Sequence, residues 1–191
     1  SDWHLLSCRA DAAEGRIASI TDSYGASTTV SYSYLTDGSI YSRTISSGSS
    51  YQPTFPVCTL QPALSVVSSA SVAVNGQGQQ NMGYSYRQLD FHRQGLGVLG
   101  FARTTVSNST LGTVATTDVM GRELAHYTPT GMKVTQTVGS RSGWTASMQK
   151  TQAIREHTNG AYSSLLLSEN STDLDGVTTA TSYSYDSDAV G

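Results

Sequence analysis

The chain has 191 residues, long enough for one domain or for a piece of a larger protein. Hydrophobic residues make up 37% and charged residues only 13%, while 30 Ser, 24 Thr and 11 Tyr fill much of the remainder, which excludes both a disordered and a membrane composition. The net charge is −3 with no basic patch, which argues against nucleic acid as a partner, and no apolar run approaches the ~20 residues of a membrane span.

Strand signals dominate in chain order. The opening "SDWHLLSCRA" has no charged segment leading into an apolar one, and the chain starts and stops in mid-pattern, as an excised fragment would. "RIASITD" (16–22), "STTVSYSYL" (27–35) and "SIYSRTIS" (39–46) alternate apolar with small polar residues and predict strands. The stretch 47–63 holds three of the four prolines and predicts an irregular crossing loop. "LSVVSSASVAV" (64–74) and "MGYSYRQLDFH" (82–92) follow, the second with Tyr84, Tyr86 and Gln88 on one face. "LGFARTTVS" (99–107), "LGTVATTDV" (111–119), "RELAHYT" (122–128) and "MKVTQTV" (132–138) continue the series. "ASMQKTQAIREH" has good helix formers, yet Asn159-Gly160 is a hairpin turn, so 145–157 and 161–172 are expected as the two strands of one long hairpin.

The chain also repeats itself. "DSYGASTTVSYSY" and "DLDGVTTATSYSY" place Asp22, Gly25, Tyr32 and Tyr34 on Asp173, Gly176, Tyr183 and Tyr185. A looser copy holds Asp118, Gly121 and Tyr127. In such a unit Asp caps a turn, Gly takes a positive φ, and the two rings share one face of the next strand, where they can stack across strands.

Candidate chemistry is sparse. Gly95-x-Gly97-x-x-Gly100 has the spacing of a dinucleotide loop, but the strand before it is half polar and "FARTTVSNST" after it does not start a helix. Structural glycines at a crossover or bulge are expected instead, with Leu99 and Phe101 packed behind, and a Cβ at Gly97 or Gly100 is expected to clash or to demand a positive φ. "SMQK" (147–150) lacks the companion elements of the penicillin-interacting enzymes, and "GSRSG" (139–143) has Arg141 where a nucleophilic serine would stand. His4, His92, His126 and His157 are scattered, and His4 with Cys8 makes a poor metal pair. "DLDG" (173–176) and "DSD" (186–188) fall short of a calcium loop. Asn108 and Asn170 open sequons, which matter only in a glycosylating host. Glu14, Glu123, Glu156 and Glu169 lie far apart and read as solvated surface. Cys8 and Cys58 fit either a disulfide, contributing ~3–4 kcal/mol, or two buried free thiols. No catalytic residue, cofactor or metal is assigned.

"YSYRQLDFHRQGLGVLGF" (84–101), with its Tyr-x-Tyr followed by Gly95, Gly97, Gly100 and Phe101, resembles the signature of Rhs/YD-repeat proteins. The resemblance is to the B components of insecticidal Tc toxin complexes and the virulence-plasmid B-type proteins. Residues 19–41, 116–131 and 173–186 are similar to other segments of that family, the last ending in Tyr185-Asp186. Residues 47–63 and 139–160 depart from its pattern.

The resemblance implies an all-β fold of long antiparallel hairpins in a curved sheet, one segment of a spiral shell that encloses a C-terminal effector. It implies a secreted or surface location in bacteria, a structural role without chemistry, and partners in the rest of the toxin polypeptide, its effector and other toxin-complex subunits. A fragment of such a sheet is expected to self-associate through its edges. The residues alone equally allow a β-rich adhesion module that presents tyrosines to glycan or protein.

Overall fold

A computed structural model describes residues 5–8 (backbone only), 15–45, 52–74, 78–139 and 144–185. Among these the chain is all-β, with no helix and one open sheet of thirteen strands. His4, Glu14, Arg141, Asp186, the "DSD" stretch and the Cys8 side chain lie outside the described residues. Cys58 carries a free thiol.

The path through the sheet starts with β1 (Leu5–Cys8), β2 (Ile17–Thr21) and β3 (Ser27–Tyr34). It crosses to β6 (Ser65–Val74), then runs through β7 (Gly78–His92), β8 (Gly97–Asn108) and β9 (Thr113–Arg122). β10 (Pro129–Val138), β11 (Thr145–Glu156), β12 (Tyr162–Thr172) and β13 (Thr178–Ser182) complete it. Every neighbour on this path is antiparallel. Between β3 and β6 the chain leaves the path as an arm carrying β4 (Tyr41–Ser42) and β5 (Val57–Leu60).

Three local differences from the sequence reading have physical causes. The predicted strand over 39–46 is cut to Tyr41–Ser42 because Asp37 folds the chain into a turn, its carboxylate accepting from the Ser39 amide at 2.9 Å. The predicted strand over 122–128 is a turn after Arg122, because the Glu123 carboxylate accepts from the amides of Ala125, at 2.8 Å, and His126. The proline-rich stretch contains strand β5 at Val57–Leu60, which pairs with the half of β7 that β6 leaves free.

That arm builds the core. β6 runs beside β7 only as far as Gly83, and beyond it β4 pairs with Tyr86 and Arg87, then β5 with Leu89 to His92. Leu35, Tyr41 and Leu89 are buried there with Ile40, Val66, Tyr86 and Phe101 packed around them. Tyr86 and Leu89 lie an odd number of positions apart, yet both reach this core. Gln88 between them has φ 53°, which breaks the alternation of an extended strand. Gln88 therefore does not share the face of Tyr84 and Tyr86, as plain alternation would have it.

The Tyr41 hydroxyl donates to the carbonyl of Leu60 and accepts from the Leu89 amide at 3.1 Å, bridging β5 and β7 where the ladder is distorted. Elsewhere the sheet has little behind it. From β11 to β13 no residue is buried.

Burial raises the pKa values of the Tyr41 and Tyr86 hydroxyls. The folded chain therefore keeps both protons to higher pH than the unfolded chain does. Their contribution is complete below about pH 10, where a free tyrosine titrates, and is lost as the pH rises through the folded-state values. Urea midpoints should stay level up to about pH 10 and then fall, and a Tyr41→Phe/Tyr86→Phe double variant should fall less steeply.

Candidate functional site

Two sets of residues stand out. The first is the tyrosines of the three Tyr-Ser-Tyr segments. Where β2 and β3 cease to pair, beyond Ser19 and Thr29, the Tyr32 hydroxyl donates to the carbonyl of Ile17 at 3.0 Å. Where β6 and β7 cease to pair, beyond Ser69 and Gly83, the Tyr86 hydroxyl donates to Val67 at 2.8 Å. Where the β12–β13 ladder ends, at Ser168 and Ser182, the Tyr185 hydroxyl donates to Leu166 at 2.8 Å. Each hydroxyl takes over a strand carbonyl where the ladder runs out, so the residue acts as a latch across the splayed end. The rings do not sit idle: Arg16 lies 5.6 Å from both the Tyr32 and Tyr34 centroids, and Phe101 lies 4.7 Å from Tyr86. Tyr84 is half-buried beside Met82, while Tyr34 and Tyr183 are largely exposed.

The turns of the repeat share one geometry. Asp22 accepts from the amides of Tyr24 at 2.9 Å and Ala26 at 2.8 Å, and Asp173 accepts from Asp175 at 3.0 Å and Val177 at 2.9 Å. Gly25 and Gly176 take φ 81° and 84°, left-handed values that a side chain resists. Asp118 does not cap a turn. It is a buried residue in the middle of β9, and its carboxylate grips Arg103 of β8 through both oxygens. Gly121 takes no left-handed φ; a Cβ there would meet the Thr130 hydroxyl at 2.9 Å, so a side chain would require that hydroxyl to shift.

The second set is a cluster that the sequence reading did not assemble. Asp90 is fully buried. Arg122 approaches it at 3.3 Å, and the Gln88 amide donates to its other oxygen at 3.3 Å. The same guanidinium donates to the carbonyls of Leu99 and Tyr127, each at 3.1 Å. Tyr127 itself has φ 57°, an arrangement that costs of order 1–3 kcal/mol unless its surroundings hold it. Arg122 holds its carbonyl, and His92 stacks on its ring at 4.4 Å. Thus Arg122 closes the β9–β10 turn onto the β7–β8 hairpin. The one sequence signal was the alternation Gln88, Asp90, His92, three polar residues on one face of a strand otherwise flanked by apolar side chains.

The three signature glycines form the β7–β8 hairpin. Gly95, Gly97 and Gly100 have φ 117°, 74° and 100°, and a bulge between Asp90 and Phe91 pairs Asp90 with Gly100 and Phe91 with Val98. No atom lies within 4 Å of a Cβ built at Gly97 or Gly100, so their requirement is conformational and the expected clash is absent. No helix follows Gly95, and β7 before it runs antiparallel to β5, β6 and β8 and meets only the two-residue β4 in parallel, so these glycines do not make a dinucleotide loop. Phe101 packs on Tyr86 and Tyr41.

Glu123 and Glu156 are not simply solvated. They flank the His126 ring at 3.2 and 3.6 Å, and that ring stacks on Tyr162 at 4.1 Å. Burial raises the Glu123 carboxyl, but the Ala125 and His126 amides outweigh it and hold the group below the usual carboxylate range. Among the described residues, no cluster of three His, Cys, Asp or Glu side chains is arranged to hold a metal ion.

Comparison with protein-family models, with curated proteins and with solved structures finds no match to this chain.

Replacing Arg122 with Met should remove the cation that faces the buried Asp90 carboxylate and cost about 3–5 kcal/mol in urea unfolding. Tyr86→Phe should cost about 1 kcal/mol, and Tyr185→Phe less, because water can replace the latch at its exposed site. Gly100→Ala should cost about 1 kcal/mol through backbone strain alone. In thermal melts, NAD and ATP should leave the wild-type midpoint unmoved.

Proposed function

We propose that this chain is a wall segment of a secreted or surface-exposed bacterial toxin shell of the Rhs/YD-repeat type. In that reading it does no chemistry, and it helps to enclose a C-terminal effector. Its partners are the rest of its own polypeptide, the effector and other subunits of the toxin complex.

One observation carries this reading. The same latched strand geometry recurs along one open sheet: a ladder ends, and the tyrosine three residues further on donates to the carbonyl beyond. A sheet that uses one device at three of its splayed ends extends by repetition, as a wall must. The polar clusters support it too. Asp90, Asp118, Arg103 and Arg122 are engaged with one another and with the backbone, which suits stiffening more than turnover.

The adhesion reading rests on the exposed rings of Tyr24, Tyr34, Tyr162, Tyr183 and Tyr185. Two facts weigh against it. The Tyr185 hydroxyl is committed to Leu166, and the Tyr34 ring sits against Arg16.

In the parent polypeptide, the region after the wall should resist added protease until urea unfolds the sheet. Cleavage at the rate of an unfolded control would sink the shell reading. On a glycan array the isolated chain should show no saturable binding; a glycan bound at micromolar strength and lost in Tyr183→Ala would establish the adhesion module instead.

A further inference from the structure

The strand registers contain a duplication deeper than the sequence repeat. The pairings of β1, β2, β3, β6 and β7 match those of β9, β10, β11, β12 and β13, except at Cys8 and Ile17, where the irregularity of β1–β2 differs from that of β9–β10. Leu6 opposite Ile20 corresponds to Thr117 opposite Val134, and Ile20 opposite Thr28 to Val134 opposite Met148. Thr28 opposite Val72 corresponds to Met148 opposite Ser171, and Val72 opposite Gln80 to Ser171 opposite Thr179. The irregularity also recurs. A bulge between Ser31 and Tyr32 sets one residue, Ser68, out of register; a bulge between Thr151 and Gln152 does the same to Leu167. The latch recurs beside it, Tyr86 on Val67 and Tyr185 on Leu166. Straight hairpins could share a register by chance, but a bulge and a latch at the same place in both sets mark two copies of one unit.

The unit has six strands on the path, because β8 stands between β7 and β9. The first copy has its sixth strand. The second copy ends, among the described residues, at β13, whose residues are exposed throughout. In the first copy Tyr84, Ser85 and Tyr86 lie opposite Val106, Thr105 and Thr104 of β8. In the second, the same three residue types recur at Tyr183, Ser184 and Tyr185, with no strand opposite among the described residues.

We propose that the outer edge of residues 181–185 is a docking edge for one antiparallel strand of β8's chemistry. That strand is extended, carries consecutive threonine and β-branched residues opposite the Tyr-Ser-Tyr segment, as Thr104, Thr105 and Val106 do, and seats in the register that β8 uses on β7. The Tyr183 amide donates inward to Leu167 at 2.9 Å. By strand alternation the amides of Ser182 and Ser184 point outward, where those of Gly83 and Ser85 meet β8. The occupant is a β8 equivalent rather than a second β13, because the unit's register places a β8-type strand there and not a mirrored edge. The inference rests on register and stands apart from the shell reading.

The probe is a twelve-residue peptide with the sequence of residues 97–108, added to the wild-type chain. Saturating peptide should slow amide exchange at Ser182 and Ser184 by about tenfold or more, with little change at the already bonded Tyr183. A scrambled peptide should do nothing. A peptide carrying Thr105→Pro, which lacks the amide that faces the β7 edge in the sheet, should lose most of the effect. Absence of protection at saturation, or equal protection by the scrambled peptide, would overturn the proposal. So would concentration-dependent dimers that protect the same amides without peptide, since the occupant would then be a second copy. A failed peptide experiment would leave the protease and glycan tests of the shell reading untouched.

Discussion

Among the described residues no second layer covers the sheet, so it has to be held together within its own plane, and this constraint governs the molecule. Buried apolar side chains are few, and from β11 to β13 there are none. Backbone ladders supply most of the cohesion, and they are weakest where paired strands part. Those are the points at which tyrosine hydroxyls reach across. A hydroxyl on a long, flat, stiff side chain is well suited to such a place. It spans the gap, satisfies a carbonyl that would otherwise face poor solvation, and lays an aromatic ring over the strand on its way.

The middle of the sheet is held differently. At β7 the chain spends an arm of about thirty residues to replace the partner that β6 no longer provides, and the main apolar cluster among the described residues forms beneath it. On the same stretch, the distorted backbone at Gln88 turns polar residues the other way, where Asp90 meets Arg122. The two devices share a cause. A local left-handed residue sends alternate side chains to opposite surroundings, one apolar and one ionic. Arg122 then links three neighbouring pieces of chain, and Arg103 with Asp118 repeats the idea one ladder away.

The two repeats in this chain are not the same repeat. The sequence copies align Tyr32 with Tyr183, through an Asp-capped turn that serves β2–β3 in one place and β12–β13 in the other. The register copies align Tyr86 with Tyr185 and Thr28 with Met148. A turn is a local object and its residues recur wherever that turn is needed. A sheet unit is set by pairing, and pairing tolerates almost any small or β-branched residue at an exposed site, so Thr28 and Met148 carry no sign of their equivalence.

The alternation of apolar with Ser and Thr, the punctuation by Gly, Asn and Asp, and the Asn159-Gly160 turn determined an all-β antiparallel fold and most strand positions, because period and turn chemistry act over a few residues. The Asp22 and Asp173 caps were legible for the same reason. The turn at Glu123 was not, since a glutamate capping its own following amides leaves the same pattern as a polar strand. Nor was the role of Asp118, because its partner Arg103 is fifteen positions away and only the β8–β9 register brings them together. The tertiary structure alone decided which strands are neighbours, where the arm of β4 and β5 docks, and that Asp90 lies under Arg122. Those facts depend on pairings between distant segments, and a ladder's hydrogen bonds are made by backbone that every residue shares.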